Sequence, residues 1–152
     1  MRVWLMKTKR KWFKDMKESK KIMIDQDGIN DYYTNYTKTE RLEKIKKSGQ
    51  KSPKRVEKFF INLSKDMSIG DMVIIGTGQV GTFKISEIAR ITGDYKYDTS
   101  LKYDLKHYRN VEFYGLERKI PFEKWNWVNV RIQELPNKKL DEFAEVMTKI
   151  LF

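Results

Sequence analysis

Between Asp71 and Gly115 the chain switches repeatedly between runs of β-branched and aromatic residues and glycine-containing turns, and this pattern limits its possible folds more than any other feature. After a turn at Ser68-Ile69-Gly70-Asp71 comes DMVIIG, then a glycine-rich turn, then TFKISEIARITGDYKYD, then HYRNVEFYG. Val, Ile, Tyr and Phe fit a pleated, half-buried surface. These runs therefore predict neighbouring strands of a strongly bent sheet.

The flanks read differently. RVWLM at 2–6 predicts a first strand, and KRKWFKDMKESK places Trp12, Phe13 and Met16 at helical spacing on a basic helix. KIMID at 21–25 predicts a second strand. The following DQDGINDYYTNYT, with Gly28, Asn30, Asp31 and three tyrosines, has no regular period and reads as a loop, a common setting for binding residues. A polar helix over 38–47 ends at Ser48-Gly49, and Ser52-Pro53 opens another whose Val56, Phe59, Phe60 and Leu63 form an apolar core stripe. Beyond Ile120-Pro121-Phe122, a predicted chain break, WVNVRIQEL supplies a last strand. LDEFAEVMTKILF supplies a terminal amphipathic helix.

The chain has 152 residues, 39% of them hydrophobic and 13% aromatic, enough for one domain over 1–152 with its own core. Cysteine is absent, which excludes disulfides, thiolate chemistry and Cys-based zinc sites and suits a reducing cytoplasm. No apolar run is long enough to span a bilayer. The net charge is +11 and uneven: residues 1–65 hold 19 Lys and Arg against 8 Asp and Glu, and residues 66–152 hold 13 of each. A one-sided positive field attracts phosphate polymers, so nucleic acid is the expected partner, ahead of an anionic membrane surface. A solvated lysine-rich surface is the alternative reading of the same charge.

Three motifs carry possible chemistry. Gly76-Thr77-Gly78-Gln79-Val80-Gly81 fits GxGxxG after the strand MVII. A dinucleotide fold needs a helix next and further parallel strands, whereas Phe83 and Ile85 alternate in β fashion, so a hairpin is expected. Glu117-Arg118-Lys119 fits the ExK half of a metal-dependent nuclease, with Asp98 or Asp104 as the other carboxylate, but such triplets are common by chance when 35% of residues are charged. His107 is the sole histidine, and at a strand start it is expected to hydrogen-bond or to touch a ligand. No metal or cofactor is expected. Tyr32, Tyr33, Tyr36, Tyr95, Tyr97, Tyr103 and Tyr108 fall in or beside predicted loops. Each alone suggests ordinary packing; together, in a basic protein, they suggest a pocket for a planar base.

These strings resemble the PUA-like superfamily, especially EVE and YTH domains and the DNA-binding N-terminal domains of McrBC-type modification-dependent restriction systems. The resemblance runs from Val3 to about Phe122 and is carried by VWLMKTK, by SIGDMVIIGTGQVGTFKISEIARITGDYKYD, and by HYRNVEFYG with IPF. It implies an α+β fold, a curved barrel of five to six strands flanked by helices, and a nucleotide flipped into an aromatic pocket. It places one pocket wall after the first strand, at Lys7, Thr8 and Lys9, another at Asp25 and Gln26, and a third at Tyr95, Tyr97, Tyr103 and His107. Many relatives have a tryptophan where this sequence has Gln26; a tyrosine from 32–36 would then substitute, or the ligand differs.

The resulting expectation is a non-enzymatic reader of a modified base, in DNA rather than RNA, working with a nuclease or NTPase partner and without a membrane. Base contacts are assigned to Thr8, Asp25, Gln26, Tyr32, Tyr95, Tyr97, Tyr103 and His107, and phosphate contacts to Lys7, Lys9, Arg10 and Lys11. An RNA-binding module indifferent to modification and a nuclease using Glu117 and Lys119 are the rival readings.

Overall fold

The computed structural model describes residues 1–24, 28–78, 82–102, 105–121 and 131–151. It is an α+β protein with a curled mixed sheet and four helices. The strands are β1 (Val3–Thr8), β2 (Lys21–Ile24), β3 (Met72–Thr77), β4 (Lys84–Ile91), β5 (Lys96–Tyr97), β6 (His107–Phe113), β7 (Ile120–Pro121) and β8 (Ile132–Glu134). The helices are α1 (Arg10–Ser19), α2 (Lys38–Lys47), α3 (Pro53–Ile61) and α4 (Asn137–Leu151).

Six strands lie in the order β2-β6-β4-β3-β1-β8, while β5 pairs with β6 and β7 with β4. Among the described strands only β1 and β3 run parallel, from Val3↔Met72 to Thr8↔Thr77. A parallel pair needs a long crossover, and α1, β2, α2 and α3 supply it. Two expectations require correction. Ile120-Pro121 does not break the sheet but extends it, pairing with Ile85 and Lys84, because a proline at a strand edge removes no ladder donor. The first strand runs two residues further than RVWLM, so Lys7 and Thr8 lie inside the sheet rather than after it. Of WVNVRIQEL, residues 127–130 lie outside the described residues.

β3 and β4, on either side of the GxGxxG motif, pair antiparallel with a bulge between Ile75 and Gly76, which is not the strand-to-helix step of a dinucleotide fold; residues 79–81 of the motif lie outside the described residues. Gly76 has no room for a side chain because a Cβ would run into the Phe83 ring. Gly78 takes φ +108°, a conformation open to glycine at little cost.

Two apolar clusters fill the sheet's two faces. The larger joins Trp4, Met6, Val73 and Ile75 to Met16 of α1 and Phe60 of α3; the smaller joins Leu5, Ile74, Phe83 and Ile85 to Leu140 and Phe143 of α4. Alternation along β1 and β3 divides the residues between them. Two buried polar knots tie the layers. Asp71 accepts from the Arg2 N–H, Trp4 Nε1 and the Ser68 N–H at 2.9–3.0 Å. Arg109 threads the end of α3, where Asn62–Asp66 forms a π-helical turn, and donates to the carbonyls of Leu63, Ser64, Met67 and Gly93.

Candidate nucleic-acid interface

His107 opens β6 between two neighbours: Ile24 of β2 pairs with it on one side and Tyr97 of β5 on the other. It is fully buried. Its Nε2 lies 2.8 Å from the Ile29 carbonyl and its Nδ1 2.6 Å from the Tyr95 hydroxyl. A carbonyl only accepts, so Nε2 carries the proton, Nδ1 accepts, and Tyr95 donates. The Tyr95 oxygen in turn accepts from the Tyr33 N–H at 2.9 Å. Burial pulls the His107 pKa down to about 4, against the Ile29 hydrogen bond and the Asp31 charge, so the ring is neutral at ordinary pH. Burial likewise raises the Tyr95 phenol well above its usual range.

Aromatic rings surround this chain of hydrogen bonds. Tyr95 stacks on His107 at 5.9 Å between centroids, Tyr97 lies at 4.7 Å, and Phe60 of α3 meets it edge-on at 5.1 Å. Tyr32 closes the group, 5.9 Å from Tyr95 and 6.3 Å from Tyr97 at 67°. Tyr32 remains 39% exposed and Tyr97 half-buried, whereas Tyr95 is buried. Rings in mutual contact leave no slot between them. Tyr32 and Tyr97 reach the surface, whereas Tyr95 and His107 beneath them are buried.

Four of the expected base-binding residues, Tyr32, Tyr95, Tyr97 and His107, therefore converge. Asp25, Gln26 and Tyr103 lie outside the described residues. Thr8 is placed elsewhere: the register sets it beside Thr77 and Lys84 at one end of the sheet, whereas His107 lies four residues beyond Val111, which pairs with Ile91 near the other end. Lys7 is half-buried at the end of β1, and Lys9, Arg10 and Lys11 are exposed where α1 begins. Tyr33, read as a loop residue, and Tyr108, read in a strand beside one, are both buried. Tyr33 stacks on Phe60 at 5.1 Å and donates to the Glu57 carbonyl, and Tyr108 is part of β6.

Sequence reasoning missed Ile29 and Phe60 as parts of the cluster. Phe60 was legible only as a core-facing helix residue, and nothing local marks the Ile29 carbonyl as a histidine acceptor. Of the nuclease candidates, Glu117 is exposed, Asp98 accepts from the Ser100 N–H and hydroxyl, and Asp104 lies outside the described residues. Among the described residues no group of three or more His, Asp or Glu is placed to hold a metal ion. No helix among them is long and apolar enough to cross a membrane.

The fold has solved counterparts. A hypothetical protein from Leishmania major is similar over 100% of this chain and 98% of its own, at 13% identity and TM-score 0.50. A protein from Pseudomonas putida shows 13% identity over 95% of this chain and 98% of its own, with TM-score 0.49. No curated protein matches the chain. Residues 3–134 match the family described as Domain of unknown function (DUF8426), and the chain belongs to that family.

Proposed function

We propose that this chain is a non-enzymatic, PUA-like reader of nucleic acid, DNA in preference to RNA, that holds one flipped and modified base against Tyr32 and Tyr97. The observation that carries this reading is the accessible aromatic corner built on an immobilised support. Tyr95 and His107 are fixed by three hydrogen bonds in series, and Tyr32 and Tyr97 rest on them. A base docking on rings that are already ordered loses little further side-chain entropy. Each stacked base gains on the order of 1–3 kcal/mol.

The support is also electrically quiet. A neutral His107 and a protonated Tyr95 place no charge of their own beneath a planar ligand, while the basic first half of the chain attracts the backbone. Asp25 and Gln26, which follow Ile24 in the sequence, are the assigned readers of the base edge. In a modification-dependent restriction setting, cleavage would belong to a nuclease or NTPase partner.

Binding to matched DNA and RNA oligonucleotides, unmodified or carrying methyladenine, methylcytosine or hydroxymethylcytosine, tests this at two salt concentrations without metal. A preference for one modified base that survives higher salt, and that Tyr32→Ala abolishes, is the expected result. Uniform binding that collapses with salt, or preference for unmodified structured RNA, overturns it.

A further inference from the structure

Positive charge and apolar surface coincide on the helical hairpin of α2 and α3. Residues 38–58 hold 9 Lys and Arg against 3 Glu. Two of these carboxylates are committed within the hairpin. Glu40 accepts the Thr37 N–H at 3.0 Å in the cap of α2, and Glu57 is buried against Arg41, which donates from Nε and Nη2 at 3.2 and 3.0 Å. Among the described residues Glu43 is the one acid of the hairpin without such a bond. It is exposed, as are Lys46, Lys47, Lys51, Lys54 and Arg55 around it.

Along one side of the hairpin runs a groove of about 590 Å³, lined by Leu42, Glu43 and Lys46 of α2 and by Ser52, Pro53, Lys54 and Arg55 where α3 begins. Its lining is mostly apolar. The Leu42 side chain and the Pro53 ring supply part of it, and long basic side chains add their methylene stems while their charges stay in water.

Leu42 has no duty in the core. Ile45, three residues on, is fully buried in the larger apolar cluster, whereas Leu42 is half-buried and belongs to neither cluster. Burying such a side chain against a partner is favourable in proportion to the area removed from water. A groove beside two helices suits a further helix that lays its own apolar face there.

We propose that this groove docks an acidic amphipathic helix of a partner protein, its apolar side chains against Leu42 and Pro53 and its carboxylates toward Lys46, Lys54 and Arg55. The charge selects the occupant. A phosphate backbone is drawn to the same cations but has no apolar face to lay in the groove, and residues 7–21, with 8 Lys and Arg against 2 acids, offer it basic surface elsewhere. Apolar anchors carry the affinity of such a contact, while exposed cations speed encounter and reject basic partners. The groove shares no residue with the cluster of Tyr32, Tyr95, Tyr97 and His107, so its test and that of the base reader fail separately.

The test uses the whole chain and a synthetic peptide of about 18 residues, built from Leu, Ala and Glu with Leu at helical spacing on one face. One control peptide is a scrambled isomer of equal charge without an apolar face, and the other replaces Glu by Gln. Saturable amide NMR shifts at Leu42, Lys46, Lys54 and Arg55 are expected with the first peptide, and binding at least about tenfold weaker with either control. Leu42→Ala should weaken the first peptide about tenfold, as for a truncated anchor. Lys46→Glu combined with Lys54→Glu, both at exposed positions, should do the same while the urea midpoint stays nearly unchanged.

Equal binding of the scrambled isomer would reduce the surface to unspecific charge attraction and overturn the proposal. Absent shifts, or affinity unchanged in both variants, overturn it too. Shifts of the same residues with protein concentration alone give the groove to a second copy of this chain, and duplex DNA that saturates them more tightly than the peptide gives it to nucleic acid. Either outcome sinks the partner helix.

Discussion

The Tyr95 hydroxyl donates to His107 Nδ1 across 2.6 Å, which fixes both the tautomer of the histidine and the angle of the tyrosine ring. Since Nε2–H is held by the Ile29 carbonyl, protonating His107 forces a second N–H onto an atom that faces a donor's oxygen. Stability should therefore depend on pH. The folded pKa, about 4, lies below the ordinary histidine value, so this contribution is complete above about pH 6.5. It is lost as pH falls from there toward 4, by up to about 3 kcal/mol. Urea midpoints at pH 7.5 and 4.5 should fall further for the wild type than for His107→Gln; parallel falls would show that another group titrates.

Tyr32 and Tyr95 occupy the same cluster with different duties, and substitution should separate them. Tyr32→Ala removes a 39%-exposed ring and should leave the urea midpoint nearly unchanged. It should weaken binding of the preferred oligonucleotide by roughly 5- to 100-fold, the worth of one stacked base. Tyr95→Phe keeps the ring and removes the hydroxyl between Tyr33 N–H and His107, so it should cost about 1–3 kcal/mol of stability. Equal effects of both substitutions on both measurements would refute this division.

Arg109 is buried among carbonyls, with no carboxylate among its hydrogen-bond partners in the described residues. Its planar fork reaches four of them, from Leu63, Ser64, Met67 and Gly93, across the end of α3. An ammonium cannot reproduce that geometry. Arg109→Lys should destabilise by about 2–3 kcal/mol in urea unfolding. A change under about 0.5 kcal/mol would place Arg109 among ordinary surface substitutions.

Gly76 faces Phe83 across the bulge of the β3–β4 hairpin. Gly76→Ala should cost about 1–3 kcal/mol through overpacking. The cost should shrink when Phe83 is first replaced by Leu, a coupling that a double-mutant cycle measures. Equal costs in both backgrounds would mean that the glycine serves backbone conformation alone.

Helices and strands were largely legible because their signals are local. Thr37 opens α2 with a capping box to Glu40, Pro53 stands at the first position of α3, and the β-branched runs MVII and KISEIARI mark buried strands. The hairpin reading of the glycine motif rested on the alternation of Phe83 and Ile85. Failures arose where partners are distant. Tyr33 looks like a loop residue because nothing near it reveals Phe60, and Ile120-Pro121 looks like a break because only β4, far upstream, makes it a strand.

The sequence by itself determined the α+β character, the positions of the helices and the excess of positive charge in the first half, since propensity, capping and charge are properties of neighbouring residues. The tertiary structure decided which residues meet. Pairing of β2, β5 and β6 gathers Tyr97 and His107 beside Ile24, and packing of the 29–33 segment against them adds Tyr32 and the Ile29 carbonyl. Pairing of β8 with β1 carries Arg131 to the start of α1. Such meetings depend on strand order and sheet curl, which arise from burying the two apolar faces at once, and no short window of sequence contains that information.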